Sequence, residues 1–378
     1  MAKLGEVCTI VSGSTPKTSV TSYWDGNIKW ITPAELNEDT FYIMDSVRHI
    51  TEEGKEKTGL SYLPTGTVIL SSRAPIGKTA IAGCEMCCNQ GFKNLICSDA
   101  IYNEYLYFFL KSKTDYLNSL GRGATFKEIS KSIVESIEIP LPEVNQQKEI
   151  AEKFKKLEQL ISLRKQQLAK LDELVKARFV EMFGDPVKNT MDWEIKPLSE
   201  LGELNRGVSK ARPRNSPELL GGPYPLIQTG EVANAKTYIT SFNSTYSEKG
   251  LAQSKMWPKG TLCITIAANI AQTSILTFDA CFPDSVVGFI SRNMTNELFI
   301  HYWFSFFQKI LDEQAPQVAQ KNINLKILSE LNVIVPPLSL QNRFAAFVER
   351  VDQQKQTIQQ SLEKLELMKK ALMQEYFG

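Results

Sequence analysis

The sequence predicts an α+β fold in which two mixed, β-rich domains are joined by two long helices that form an antiparallel coiled coil. Three observations predict it: an internal repeat, two segments with heptad spacing, and short apolar runs between dense turn residues elsewhere. The repeat gives the chain an internal pseudo-two-fold relationship. We expect the domains at residues 1–143 and 185–338, and the helices at residues 144–184 and 339–378.

The repeat is the strongest signal. Residues 129–184 align with residues 323–378 without a gap, and 15 of the 56 aligned positions are identical, at an offset of 194. Residues 4–7 (Leu-Gly-Glu-Val) also match residues 201–204 (Leu-Gly-Glu-Leu), at an offset of 197. The middles of the two halves barely match. A duplicated enzyme would keep its catalytic residues in both copies. A duplicated recognition protein could keep the same scaffold and change the residues that contact its target.

The helical segments follow from composition and spacing. Residues 145–183 contain neither proline nor glycine, and their apolar residues alternate at spacings of three and four, as in a coiled-coil seam. We expect the first helix to start after Pro142 with Asn145 as its cap, and to stop at Gly184. The predicted helix-pairing seam comprises Ile150, Phe154, Leu157, Ile161, Leu168, Leu171, Val351, Ile358, Leu362 and Leu365.

The two seams differ in a way that predicts their partner. Arg164 stands where the second copy has Ile358, and Ile161 stands where the second copy has Lys355. Neither helix is uniformly apolar, so each is a poor homodimer partner, and pairing within one chain is favoured. An antiparallel pair would place the two domains at opposite ends of a rod. The alternative is an ordinary pair of core helices.

The two domains read as strands with a few short helices. Apolar runs at residues 67–70, 79–82 and 95–97 predict strands, and residues 104–113 and 297–309 predict helices. Between these elements lie basic and amide side chains of the kind that contact base edges in the major groove. Either they bind nucleic acid or they form an ordinary solvated surface. The candidate set is Thr15, Lys17, Arg48, Arg73, Lys78, Asn89, Gln90, Lys93, Arg122, Lys127, Arg206, Lys210, Arg212, Arg214, Gln320, Lys321 and Asn322.

The charge balance argues against a protein that holds DNA alone. Lys plus Arg number 43 and Asp plus Glu number 42, which gives a net charge of +1. Residues 1–143 carry −3, residues 185–338 carry 0, and the two helical segments carry +3 and +1. The basic excess therefore lies on the helices. We expect the chain alone to bind DNA weakly, and an assembly with partners to bind it well.

No motif predicts chemistry in the chain itself. The clustered Cys84, Cys87, Cys88 and Cys97 lack a second C-x2-C pair or a nearby His, so we expect no metal site. Residues 73–79 (Arg-Ala-Pro-Ile-Gly-Lys-Thr) resemble a phosphate loop, but Ser72 replaces its first glycine and Pro75 removes a backbone donor. We expect no catalytic residues.

Localisation is inferred from two absences in the sequence. No run of 18 apolar residues occurs, and the first residues lack the apolar core of a signal peptide. We therefore expect a cytoplasmic protein with no membrane partner.

Several motifs follow one another in a distinctive order: residues 13–17 (Gly-Ser-Thr-Pro-Lys), 23–33 (Tyr-Trp-Asp-Gly-Asn-Ile-Lys-Trp-Ile-Thr-Pro), 48–51, 63–68, 76–78, 89–92 (Asn-Gln-Gly-Phe), and 139–142 leading into Gln146 and Gln147. In these motifs and their order, the chain resembles one family, the DNA-specificity (S, HsdS) subunit of type I restriction–modification enzymes. The resemblance covers the whole chain. The second domain departs from the opening motif, with Arg-Gly-Val-Ser-Lys at residues 206–210.

The resemblance implies a mechanism. Residues 1–143 and 185–338 would be target recognition domains, each reading one half of a bipartite, asymmetric DNA site through the major groove. The helices would set the spacer and dock partners: two methyltransferase (HsdM) subunits, joined by two restriction (HsdR) subunits in the nuclease complex. Adenine-N6 methylation and ATP-dependent cleavage would belong to those partners, together with S-adenosylmethionine, Mg²⁺ and ATP.

Two other classes of function remain open on the residues alone. The first is a duplicated coiled-coil scaffold whose loops bind proteins rather than DNA. The second is a self-contained nuclease or methyltransferase, which should form product from DNA, Mg²⁺ and S-adenosylmethionine without a partner.

Overall fold

The computed structural model describes residues 1–37, 39–73, 75–123, 127–267, 270–306 and 323–378. It divides into two compact units, the first formed by residues 1–165 and 360–378 and the second by residues 166–359. Each unit therefore takes part of both long helices, so the units are not the segments 1–143 and 185–338 alone.

The first unit combines short strands with short helices. Its strands are β1 (Ala2–Lys3), β2 (Cys8–Ser12), β3 (Trp24–Ile31), β4 (Tyr42–Ile43), β5 (Arg48–Ile50), β6 (Val68–Ser71), β7 (Thr79–Ala82), β8 (Cys87–Cys88), β9 (Phe92–Cys97) and β10 (Glu138–Ile139). Its helices are α1 (Leu4–Val7), α2 (Glu52–Thr58), α3 (Asn103–Ser112), α4 (Thr114–Leu120) and α5 (Lys131–Ser136), followed by the first long helix, α6 (Val144–Phe183).

The second unit repeats this order. Its strands are β11 (Glu194–Pro197), β12 (Gly202–Arg206), β13 (Leu220–Leu226), β14 (Tyr238–Ile239), β15 (Ser244–Tyr246), β16 (Met256–Trp257), β17 (Leu262–Thr265), β18 (Thr273–Leu276), β19 (Ala280–Cys281), β20 (Val286–Ser291) and β21 (Asn332–Val335). Its helices are α7 (Leu198–Leu201), α8 (Thr229–Asn234), α9 (Glu248–Ala252), α10 (Glu297–Phe304) and α11 (Leu325–Glu330), followed by the second long helix, α12 (Leu338–Phe377). The predicted helix at 297–309 ends earlier, and residues 307–309 lie outside the described residues.

The two units share one sheet topology. A five-stranded sheet runs β2-β9-β6-β7-β4 in the first unit and β12-β20-β17-β18-β14 in the second. Strands β2, β6, β7 and β9 each begin 194 residues before β12, β17, β18 and β20. The smaller sheets are β5-β3-β8 and β15-β13-β19-β16. The frame therefore repeats through the middles of the two halves, where residue identities are too few to reveal it.

The predicted match of residues 4–7 to residues 201–204 is wrong by about one helical turn. The Leu4 amide donates to the Ile137 carbonyl at 2.9 Å, and the Leu198 amide donates to the Leu331 carbonyl at 2.9 Å. Leu4 therefore corresponds to Leu198, at the same offset of 194 as the rest of the frame. Helical residues three apart lie on the same face, which explains how a short Leu-Gly-Glu match could be displaced by three.

A tight turn before β6 and before β17 also repeats. Gly66 has φ 90° and Gly260 has φ 89°, a region that favours glycine because it has no Cβ. In each turn the following threonine hydroxyl, Thr67 or Thr261, donates to a proline carbonyl 2.7 Å away. Both turns therefore enter the central strand of the larger sheet with the same geometry.

Helix α6 begins at Val144, so Asn145 lies inside the helix. The prediction that Asn145 caps the helix is therefore wrong. The Glu143 carbonyl already accepts the Gln147 amide at 3.0 Å, which places the cap two residues earlier. At the other end, Gly184 has φ 75° and its amide donates to the Val180 carbonyl at 2.8 Å. The predicted stop at Gly184 is a left-handed C-terminal cap.

Within the first unit, the long helices run antiparallel. Phe154 stacks on Phe377 with ring centroids 5.6 Å apart. Further along α6, Glu158 Oε1 lies 2.7 Å from Lys369 Nζ. Residue numbers rise on one helix as they fall on the other, which only an antiparallel pair allows.

The second unit shows the same arrangement independently. Asp172 Oδ1 lies 2.6 Å from Lys355 Nζ, and Phe183 packs edge-on against Phe344 at 5.5 Å. The predicted α+β fold with an antiparallel helix pair is therefore confirmed. Of the ten predicted seam residues, seven are buried, and Leu171, Ile358 and Leu365 are half-buried.

A buried glutamine fixes each long helix to its unit. Gln147 is fully buried; its Oε1 accepts from the Tyr102 amide at 2.8 Å, and its Nε2 donates to the carbonyls of Ala100 and Pro142. Gln341 is also fully buried and makes the matching set of bonds, with Oε1 accepting from the Asn296 amide at 3.0 Å. These two residues are among the identical pairs of the repeat.

Candidate nucleic-acid interface

In the first unit, two buried tryptophans hold the loop that follows β2. Trp30 Nε1 donates to the Ser14 carbonyl at 2.9 Å, and Trp24 Nε1 donates to the Lys17 carbonyl at 3.2 Å. Because both indoles are buried and satisfied, the loop backbone is fixed while the Lys17 side chain is exposed. Neither tryptophan was in the predicted site, although both lie in the motif at residues 23–33.

Arg48 lies on this platform. Its guanidinium carbon is 3.5 Å from the centre of the Trp24 ring, in cation–π geometry. Within the described residues, this guanidinium has no hydrogen-bond or ion-pair partner, and the side chain is exposed. The stack orients the guanidinium while its N–H donors stay available.

The predicted pair Asn89 and Gln90 joins the same surface. Gln90 Oε1 accepts a hydrogen bond from the Thr15 hydroxyl, and Asn89 Oδ1 accepts from the Gly91 amide at 2.8 Å. A Cβ on Gly13 would lie 2.0 Å from the Asn89 carbonyl oxygen, so only glycine permits this approach. The structure thus brings five predicted residues together in one cluster, the first-unit loop surface: Thr15, Lys17, Arg48, Asn89 and Gln90.

Three further predicted residues gather around Glu128. The backbones of Arg73 and Arg122 each pair with that of Glu128, and the side chains of Arg122 and Lys127 are exposed. Gly91 connects this group to the loop surface, because a Cβ there would lie 3.5 Å from Arg73 Nε and 3.0 Å from Asn89 Oδ1. Arg73, Arg122 and Lys127 therefore extend the same patch.

Two predicted contacts need correction because their ammonium groups are used inside the fold. Lys93 is 7% exposed and its Nζ lies 3.1 Å from Glu128 Oε1. Lys78 Nζ donates to the carbonyls of Leu36 at 2.6 Å and Pro33 at 3.2 Å. Lys93 cannot reach a ligand without breaking its ion pair with Glu128, and the Lys78 ammonium is held by two backbone carbonyls of the loop after β3.

In the second unit, the predicted arginines surround one acid. Arg214 Nη2 lies 2.6 Å and Arg212 Nη2 3.8 Å from the Asp284 carboxylate, and Arg206 Nε donates to the Asp284 carbonyl at 3.0 Å. Lys210 is exposed beside them. Two guanidinium groups at the Asp284 carboxylate and a third at its main-chain carbonyl leave a basic surface of fixed geometry, the second-unit loop surface.

Sequence reasoning missed Asp284 as a member of the site. It stands at the same repeat position as Gln90, because both precede equivalent strands, β9 and β20, by two residues. The offset of 194, extended through the divergent middles, is the signal that could have found it. Gln320, Lys321 and Asn322 lie outside the described residues.

Metal-binding groups and membrane-spanning helices are both absent from the described residues around these surfaces. The described residues contain no group of three or more His, Cys, Asp or Glu side chains able to hold a metal ion. All seven cysteines are free thiols, and Cys87 and Cys88 are buried, which raises the pKa of the Cys88 thiol to about 12. In the described part of the chain, no helix has the length and apolarity needed to cross a membrane.

Fold and surfaces together define an internally duplicated α+β protein, in which each repeat carries a loop surface with different side chains and the two long helices run antiparallel. A family model described as "Type I restriction modification DNA specificity domain" matches residues 1–173 and 190–367. The chain belongs to this family.

Curated relatives agree. The specificity subunit of the type I restriction enzyme MjaIX from Methanocaldococcus jannaschii is 36% identical over 223 residues, covering 54% of this chain and 52% of the relative. The EcoR124I/EcoR124II specificity subunit from Escherichia coli is 26% identical over 164 residues, covering 42% of this chain and 40% of the relative. The chain thus matches about half or less of the length of these curated relatives.

Solved structures share the fold. A chain from work on complex assembly and conformational transition of the type I R-M system aligns with a TM-score of 0.64 at 18% identity, covering 100% of this chain and 96% of that chain. The S subunit from M. genitalium aligns with a TM-score of 0.57 at 15% identity, covering 100% and 95%. At these identities the likeness shows the fold, which it confirms across the full length.

Proposed function

We propose that the chain is the DNA-specificity subunit of a type I restriction–modification complex, with one half of a bipartite, asymmetric site read by each unit. The observation that carries the proposal is the pair of loop surfaces at equivalent places in a shared frame. One presents Lys17, Arg48 and Gln90, and the other presents Arg206, Arg212 and Arg214. Equal frames with different surface side chains suit two readers of different sequences.

The partners follow from the family and from the charge distribution. The loop surfaces supply few uncommitted cations, so phosphate neutralisation is assigned to two methyltransferase subunits that dock on the helices. S-adenosylmethionine belongs to those subunits, and ATP and Mg²⁺ belong to the restriction subunits. In this proposal the chain itself contributes recognition and no catalytic group.

Methylome sequencing of cells that express the chain with its methyltransferase partner tests the proposal. We expect one bipartite motif with a fixed unread spacer and a methylated adenine in each half. Cells that express the methyltransferase alone are the control. Absence of any motif that depends on the chain would contradict the proposal.

A second experiment separates DNA recognition from protein scaffolding. Replacing Arg206, Lys210, Arg212 and Arg214 together by alanine should weaken DNA binding by the assembled complex and lower the slope of log K against log salt. Co-purification with the methyltransferase should be retained, because these side chains lie on the loop surface. Unchanged DNA binding would favour the scaffold.

A further inference from the structure

The second unit contains a cavity of about 530 Å³ that the loop surfaces do not use. Its lining includes the basic residues Lys176, Lys236 and Lys355, the acid Asp172, and the polar residues Thr237, Thr273 and His301. The volume lies within the range of about 300–1,000 Å³ that small-molecule sites occupy.

Comparison of the repeats explains why the cavity exists. Tyr42 pairs with Ile81 and Tyr238 pairs with Ile275, so the sheet register places Phe41 and Thr237 at equivalent positions. In the first unit the Phe41 ring fills this space. Its centroid is 4.6 Å from that of Tyr107 and 5.7 Å from that of Phe108. A threonine in place of this phenylalanine leaves the corresponding space in the second unit unfilled.

The other substitutions make the same space polar. At an offset of 194, His301 replaces Tyr107 and Lys355 replaces Ile161. His301 Nδ1 lies 2.9 Å from the Thr273 hydroxyl, which engages one of its two ring nitrogens. Burial, reinforced by the nearby Lys355 ammonium, lowers the pKa of His301 to about 4, so the imidazole is neutral at physiological pH. The Thr237 hydroxyl lies 3.4 Å from the Tyr302 hydroxyl, so the cavity wall is polar and its buried groups have hydrogen-bond partners within the fold.

Free positive charge is concentrated at the opening. Lys176 and Lys236 are exposed, and neither has an ion-pair partner among the described residues. Lys355, in the wall, is already paired with Asp172 at 2.6 Å and Asp352 at 3.4 Å. The opening therefore attracts an anion, while the interior offers hydroxyl groups and a neutral imidazole.

We propose that this cavity binds a small anionic molecule that bears a phosphate or carboxylate group. The anionic group lies between Lys176 and Lys236, and the polar remainder points toward Thr237, Thr273 and His301. This site is separate from the proposed reading of DNA and does not depend on it, because all of its residues lie outside the loop surfaces.

Titration calorimetry on the full chain tests the site with two probes, inorganic phosphate and citrate. We expect saturable binding of at least one probe in the millimolar range or tighter. The double variant Lys176→Gln and Lys236→Gln, at exposed positions, should weaken that binding at least tenfold. The preferred probe tells whether phosphate or carboxylate is recognised.

The repeat supplies matched controls. Lys370 is the counterpart of Lys176 in the first unit, so Lys370→Gln should leave binding unchanged. Thr237→Phe restores the aromatic of the first unit and should abolish binding, with the thermal midpoint reporting that the variant is folded. No saturable binding of either probe overturns the proposal. So does binding that survives Thr237→Phe, or binding that is lost instead on replacing Arg206 and Arg212 with alanine.

Discussion

Lys355 Nζ lies 2.6 Å from Asp172 Oδ1, a bond between the two long helices within the second unit. The Lys355 side chain is only 11% exposed, and it also lies 3.4 Å from Asp352, which is on its own helix. The corresponding position in the first unit is Ile161, which is buried. One repeat thus pairs its helices through an apolar residue where the other uses a charge.

Replacing Lys355 by Met should destabilise the second unit by about 1–3 kcal/mol, because it leaves the half-buried Asp352 carboxylate without its cation. Burial already raises the pKa of Asp352, and one of its oxygens has no hydrogen-bond partner. Urea unfolding measures the change. Lys165→Met is the control, since Lys165 and Glu366 form an exposed pair at 3.6 Å that contributes little. Equal effects of the two substitutions would contradict this account.

Gln147→Leu and Gln341→Leu should both be strongly destabilising. Each removes a buried side chain that satisfies backbone groups, at about 1–3 kcal/mol for each group left without a partner. Thermal unfolding should show a lower midpoint in both variants. The neighbouring Gln146 is exposed, so Gln146→Leu should change the midpoint little. An unchanged midpoint of thermal unfolding in Gln147→Leu would show that water can replace these hydrogen bonds.

Arg48→Lys should change base preference without changing the charge. A stacked guanidinium can donate two parallel hydrogen bonds to a guanine edge, whereas an ammonium cannot, and such a pair contributes about 1–3 kcal/mol of discrimination. Competition binding with single-base variants of the half-site should show about 5- to 150-fold less discrimination at one position. The salt slope should stay the same.

Lys127→Ala is the control for Arg48→Lys, because it should change the charge and leave the base preference unchanged. Lys127 is exposed near the same patch, so its loss should lower the salt slope by about one and leave base preference intact. If Arg48→Lys lowered affinity equally for all half-site sequences, Arg48 would be a phosphate contact rather than a base reader.

The neutral His301 predicts a pH-dependent stability. Its pKa is lowered from 6.5 to about 4 in the folded chain, so the unfolded chain takes up a proton first as pH falls. The second unit should keep this stability above pH 6.5 and lose up to about 3 kcal/mol between pH 6.5 and 4. Urea unfolding at pH 7, 5.5 and 4.5 measures the loss. His301→Gln should flatten this part of the profile, and an unaltered profile would exclude His301 as the cause.

Insertion of one heptad into both long helices, at equivalent positions of the repeat, tests whether the helices set the length of the spacer between the two half-sites. Seven residues lengthen a helix by about 10 Å while nearly preserving its seam. The complex should then methylate sites with a longer spacer and the same two half-sequences. A five-residue insertion is the control, because at about 100° per residue it rotates the seam by about 140° away from its partner. An unchanged spacer after the heptad insertion would contradict the proposal that the helices set the spacer length.

The sequence predicted the helices well and the loop surfaces only in part. Heptad spacing and the Gly184 stop are local signals, so the bounds of α6 agree with the prediction to within a residue. The contacts of Lys93 and Lys78 depend on Glu128 and on the Leu36 carbonyl, partners distant in sequence that composition cannot indicate.

The repeated frame was visible in the sequence only where residue identities persist. Strands such as β6 and β17 keep their spacing and burial but not their residues, because a buried strand accepts many apolar side chains. The same tolerance hid the cavity of the second unit. One of its causes is that Thr237 stands where the first unit has Phe41, an equivalence that follows from sheet register and not from local resemblance.

Phe377 is 1% exposed and packs among Tyr105, Phe109 and Phe154 in the core of the first unit. It is synthesised 223 residues after Phe154. On the ribosome, the first unit therefore cannot close its core when its own strands emerge, and it must wait until the second unit has been translated. The usual N-terminal-first order of domain folding is interrupted here, and the aromatic side chains that Phe377 covers in the finished fold stay uncovered until the last helix has been made.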